Sequence, residues 1–118
     1  MSSGTIPVSN NRVVDEGTSS GWHYRKWANN FYECWYKQTF SSATFNASGN
    51  VYYRNMSSVT FPVTFSEAPN VYATVEMNNI GSCGITAYSK TSATASVLSA
   101  VSTARAGYVF YYVAGFVS

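Results

Sequence analysis

From Trp22 to the end of the chain, short runs of Tyr, Phe, Trp, Val and Thr are broken about every eight to twelve residues by Gly, Asn, Ser or Pro, the pattern of an all-β domain. Across residues 71 to 77, Val71, Ala73, Val75 and Met77 alternate with Tyr72, Thr74 and Glu76, which predicts a strand with one face on a core. Residues 59 to 65 alternate likewise, with Val59, Phe61, Val63 and Phe65 on one side; Pro62 lacks a ladder donor, so this strand belongs at an edge or a bulge. Ser66 to Asn70 reads as the connection between the two.

Residues 22 to 28 and 31 to 40 predict a hairpin turning at Ala28-Asn29-Asn30, because Asn tolerates positive φ. Residues 83 to 90 and 93 to 101 predict a second, turning near Lys90-Thr91-Ser92. The last strand, about 107 to 117, is apolar on both faces: Tyr108, Phe110, Tyr112 and Phe116 on one, Val109, Tyr111, Val113 and Val117 on the other. A strand of that kind is covered on both sides, and in a thin sandwich the second cover comes from another protomer. Residues 1 to 20 are polar and aperiodic and read as an extended tail or linker, with the folded domain at 21 to 118. Six or seven strands without a helical period predict an antiparallel β-sandwich.

At 118 residues the chain is one ordinary domain, long enough to bury a core. Charged residues are only 10% against 17% aromatic, which fits neither a disordered chain nor a membrane protein. A net charge of +2, with Lys and Arg scattered, argues against nucleic acid as a partner. No apolar run approaches the roughly 20 residues that span a bilayer, and the start, MSSGTIPVSNN, lacks the basic and apolar regions of an export signal, so no membrane insertion is expected. Cys34 and Cys83 have no metal-ligand spacing and read as free thiols acting as small apolar residues. The sequons at Asn46 and Asn55 are common by chance and carry little weight.

Catalysis needs titratable groups brought together, and five acidic residues, one His and two Cys are a thin supply. Glu33, Glu67 and Glu76 have no spacing that makes a glycosidase pair. His23 lies between Trp22 and Tyr24 without a neighbouring nucleophile, and no phosphate loop, nucleophile elbow or metal motif occurs. The expectation is a non-enzyme without cofactors or metal. Ten tyrosines among amide and hydroxyl side chains suit either the C–H faces and hydroxyls of sugars or a protein interface, and composition does not choose between them.

The run from Val13 through Asp15-Glu16-Gly17 to Trp22-His23-Tyr24-Arg25-Lys26-Trp27, followed by Asn30 and Glu33-Cys34-Trp35, resembles the opening of the C-terminal domain of phage and prophage tail-fibre proteins. The stretch Val59 to Val75 and the closing strand to Phe116 are similar to the same domains and to the H-type lectin fold, a six-stranded sandwich that forms trimers. The resemblance covers residues 13 to 118. It implies a receptor-binding module at the virion tail tip, working outside the cell as a homotrimer on bacterial cell-surface polysaccharide or teichoic acid. Such lectins hold sugar with an Arg after the central turn and a Trp-His pair before the last strand. Here those regions read Thr86-Ala87-Tyr88-Ser89 and Val101-Ser102-Thr103-Ala104-Arg105.

The candidate glycan-binding residues are therefore Arg105 with Ser102, Thr103, Tyr88 and Tyr108, expected to line a groove between protomers, together with Tyr52 and Tyr53 in what reads as a loop. Trp22, Trp27 and Trp35 read as core or interface, and Arg25 and Lys26 as a solvated pair fixing the first hairpin. Three functions remain: a trimeric receptor-binding tip, a structural trimerisation knob of a fibre, and a free-standing small lectin.

Overall fold

The computed structural model describes residues 11–43, 45–49, 51–77, 81–100 and 105–118. Among them are ten strands: β1 (Val13–Ser19), β2 (Trp22–Trp27), β3 (Phe31–Ala43), β4 (Asn46–Ser48), β5 (Val51–Asn55), β6 (Val59–Thr60), β7 (Asn70–Met77), β8 (Gly81–Tyr88), β9 (Ser92–Ser99) and β10 (Arg105–Phe116). Every pairing is antiparallel. The first sheet has the order β1-β2-β3-β10-β7. In the second, β9 is central, with β5 and β6 in succession along one side, β8 on the other, and β4 outside β5.

The core lies between the two sheets. Val109, Tyr111 and Val113 of β10 are fully buried, as are Ala95 and Val97 of β9, whose small side chains let the sheets approach. Trp22 stacks on Tyr36 at 5.0 Å and meets Phe61 edge-on at 5.7 Å, and Phe61 and Tyr32 both set their rings edge-on to Phe65. Such pairs add about 0.5–1.5 kcal/mol each beyond the burial of their area. The Tyr111 hydroxyl donates to Gln38 Oε1 at 2.6 Å, and Gln38 Nε2 donates to the Ser57 carbonyl, tying the first sheet to the segment that covers it. Both cysteines are free thiols, Cys34 wholly buried.

The two hairpins, β7 and the last strand occur where the alternation puts them, and three expectations need correction. Residues 13 to 19, read as tail, pair with β2 through a tight turn in which Ser20 and Gly21 both have positive φ. Almost nothing in β1 is buried, so no hydrophobic period marks it. The stretch 59 to 65 is a strand only at Val59–Thr60. Phe61 N–H still donates to the Thr91 carbonyl, but Pro62 has no N–H and the ladder ends there; Phe65 then returns inward with its N–H on the Lys90 carbonyl. Finally, Tyr52 and Tyr53 lie in β5 rather than a loop, paired with Ser99 and Leu98. These additional short strands raise the total above the six or seven expected.

Candidate functional site

The antiparallel registers assemble the outward face of the first sheet from residues far apart in sequence. Thr18, His23, Trp35, Tyr112 and Tyr72 are successive cross-strand neighbours, forming one row over all five strands. The next row is Glu16, Arg25, Glu33, Ala114 and Asn70. Towards the other end lie Lys37, Phe110 and Thr74, then Thr39, Tyr108 and Glu76, while Phe116 pairs with Phe31 beyond the charged row. These side chains share a face because each sits at an even spacing from the next along its strand.

The face is aromatic and close-knit. His23 stacks on Trp35 (5.9 Å, 13° between planes), Tyr72 leans on Tyr112 at 6.3 Å, and Phe31 meets Phe116 edge-on at 5.4 Å. Trp35, Phe110 and Tyr112 are half-buried, whereas Tyr72 and Phe116 remain 59% and 52% exposed. Its charged groups are engaged within the face. Arg25 bonds Glu16 at 3.3 Å and reaches Glu33 at 3.9 Å, with its guanidinium 5.8 Å from the Trp35 ring centre. Trp27 Nε1 donates to Glu33 Oε2 at 3.0 Å. The Lys37 ammonium lies 4.5 Å from the Tyr108 ring centre, and the Tyr108 hydroxyl donates to Glu76 at 2.6 Å. That hydrogen bond raises the Tyr108 phenol above its usual range, and burial, with Glu33 close by, raises that of Tyr112. Beside the β1–β2 turn, His23, Trp35, Lys37 and Phe110 line a depression of about 460 Å³.

Within one protomer the described candidate glycan residues do not gather into one groove. Tyr88 ends β8, where it lines a depression of about 200 Å³ with Pro69, Asn70, Val71, Tyr72 and Ile85. Arg105 begins β10, beside Ala43. Tyr72 pairs with Tyr112, so this depression and Arg105 are separated by seven residues of β10, about 24 Å at 3.4 Å per residue. Tyr108 belongs to the outer face of the first sheet. Tyr52 turns into the core, and Tyr53 to the opposite side of the second sheet. Ser102 and Thr103 lie outside the described residues, as does the side chain of Arg105. The aromatic stripe of β10 is visible along the chain, whereas its extension through His23, Trp35 and Tyr72 depends on the register between strands.

Four of the five acidic residues are engaged: Asp15 accepts from Tyr24, Glu16 pairs with Arg25, Glu33 accepts from Trp27 and Glu76 accepts from Tyr108. Among the described residues no group of three or more His, Cys, Asp or Glu is placed to hold a metal ion.

The fold is shared with two solved fibre structures. One is the P. aeruginosa R1 pyocin fibre comprising its C-terminal residues 323–701, matched with a TM-score of 0.65 and 15% identity over 87% of this chain and 28% of that one. The other is an N-truncated R1-type pyocin tail fibre, matched with a TM-score of 0.63 and 16% identity over 87% of each chain. This chain thus spans little more than a quarter of the longer fibre fragment. No protein-family model matches the sequence, and no curated protein does.

Proposed function

We propose that this chain is a non-catalytic module of a phage-type tail fibre, that copies of it pack into a homotrimer through the outer face of the first sheet, and that the assembled tip binds bacterial surface glycans. The observation that carries the assembly is the outer face itself. Trp35, Phe110 and Tyr112 present aromatic surface at its centre, and the charged groups around them already have partners in the same chain. Covering such a face removes apolar area from water while Arg25 and the three glutamates keep their partners, which favours a stable interface.

The size is of the order an interface needs once side-chain relief is counted. Four inter-strand spacings of about 4.8 Å and eight residues of β10 at about 3.4 Å give a plane on the order of 500 Å², before side-chain relief is added. A standard interface takes roughly 800 Å² from each partner. The number three and the glycan partner rest on the tail-fibre and H-type-lectin resemblance, and the shared fold of the pyocin fibres supports placing the module on a virion tail. The engagement of Glu33 and Glu76 in hydrogen bonds, with Glu67 exposed on a loop, favours a non-enzyme.

Size-exclusion chromatography with light scattering tests the assembly. The wild-type protein should run as a trimer, and Phe110→Glu, which replaces aromatic surface at the centre of the face by a hydrated carboxylate beside Lys37, should run as a folded monomer with unchanged far-ultraviolet circular dichroism. A monomeric wild type, or a trimer that tolerates Phe110→Glu, would remove the proposed interface. Binding of the labelled trimer to an array of bacterial surface polysaccharides tests the receptor role, and a well-formed trimer that binds none would leave the domain as an assembly knob.

A further inference from the structure

One end of the sandwich carries a second feature, which begins at the β7 margin of the assembly face and runs off it along the open edge toward β8. Three of its large side chains are strongly exposed: Tyr72 (59%), Tyr88 (58%) and Phe116 (52%). Two shallow depressions lie among them, of about 200 Å³ and 190 Å³, and they share Pro69 and Asn70 as a common ridge. Tyr72 and Tyr88 border the first, and Phe116 and Glu67 the second. Tyr72 is on β7, an edge strand of the first sheet, and Tyr88 is on β8, an edge strand of the second, so the groove follows the open side of the sandwich.

The ridge is held rigidly. A Cβ on Gly115 would come within 3.0 Å of both Phe65 and the Pro69 ring, so Pro69 is seated directly on the glycine. The Phe116 carbonyl accepts from both the amide and the hydroxyl of Ser66, at 3.0 and 2.9 Å. A preformed surface of this kind loses little freedom when a ligand settles on it.

Its chemistry selects the ligand. The tyrosine rings offer flat faces to axial C–H groups, and the Asn70 amide and tyrosine hydroxyls both donate and accept, as sugar hydroxyls do. The single charged residue lining either depression is Glu67, a carboxylate that repels phosphate and carboxylate groups. We infer that the paired depressions around Pro69 and Asn70 form one extended subsite for a neutral oligosaccharide of the bacterial surface, built of hexose or N-acetylhexosamine units, with Tyr88, off the assembly face, as its stacking platform and Tyr72 beside it at that face's margin. This rests on the glycan-binding reading above and narrows it away from phosphate-bearing polymers such as teichoic acid.

The test titrates the assembled protein with neutral hexose and N-acetylhexosamine tetrasaccharides and, in parallel, with phosphate-bearing counterparts, followed by isothermal calorimetry and whole-cell capture. Neutral probes should bind in the millimolar range. Tyr88→Ala should weaken them about tenfold and Asn70→Ala several-fold. Tyr88→Ala should keep the wild-type mass in solution, since Tyr88 lies on β8, off the assembly face. Equal binding by wild type and Tyr88→Ala, or preference for the phosphate-bearing probes, would overturn the subsite. Capture of bacteria undiminished by either variant would move the receptor site elsewhere while leaving the fibre reading intact. A wild type that binds neither probe nor cell would overturn the glycan reading together with the subsite.

Discussion

Replacing Tyr111 by Phe separates two opposing effects of one buried hydroxyl, and their magnitudes follow from its surroundings. The side chain is fully buried in the centre of the first sheet, and its hydroxyl donates to Gln38 Oε1 at 2.6 Å. At neutral pH the variant keeps the ring and loses that hydrogen bond. Gln38 is only half-buried, so water can replace the donor, and the cost should be about 1 kcal/mol. At alkaline pH the sign reverses. Burial pushes the Tyr111 phenol up to about 12 from an ordinary value of 10, so the unfolded chain releases this proton first. The hydroxyl's contribution is therefore complete below about pH 10 and is lost between pH 10 and 12, at up to about 1.4 kcal/mol per pH unit. Tyr32 and Cys34, also raised by burial, titrate in both proteins and cancel in the difference. Urea unfolding followed by tryptophan fluorescence from pH 7 to 11.5 should find Tyr111→Phe less stable by about 1 kcal/mol at pH 7, and at least as stable as wild type near pH 11. Parallel stability curves for the two proteins across that range would refute the reasoning.

Gly107→Ala should destabilise strongly, by about 3 kcal/mol in thermal or urea unfolding, because the new Cβ would sit 2.1 Å from the Glu76 carbonyl oxygen and 2.8 Å from Met77 Cβ. Gly84→Ala, where a Cβ meets nothing within 4 Å, should be neutral or slightly stabilising; similar losses at both positions would contradict the packing. Burial lifts the Cys34 thiol to about 12, so iodoacetamide at pH 8 should leave it unmodified in the folded protein and alkylate it in urea, as mass spectrometry of the peptides would record. Rapid alkylation without denaturant would mean that the core opens there.

Legibility in the sequence followed burial. The strand at 71 to 77 alternates because β7 turns Val71, Ala73, Val75 and Met77 to the core, and β10 reads as two-faced because its second face is itself aromatic. β1 escaped because a strand at the edge of a sheet with its side chains in water has no hydrophobic period to detect. Residues 59 to 65 kept the alternation of a strand without the ladder, since Val59, Phe61 and Phe65 bury while Pro62 ends the hydrogen bonding. The placement of the candidate site residues was hidden for a different reason. Tyr88 was grouped with Arg105 through their places in a resembling fold, yet β8 carries Tyr88 to the end of the sandwich where Asn70 and Phe116 lie. The row from His23 through Trp35 and Tyr112 to Tyr72 depends on four strand registers, and those are set by turn lengths and core packing rather than by any local run of residues.

Photo-crosslinking from the centre of the aromatic face addresses the assembly most directly. With benzoylphenylalanine at position 110, irradiation should produce covalent dimers and trimers whose cross-linked peptides come from the same face of another copy. The same probe at position 98, exposed on the far side of the second sheet, should leave monomers. Cross-links from position 98 with none from position 110, or none from either in a protein that elutes as a trimer, would contradict the account.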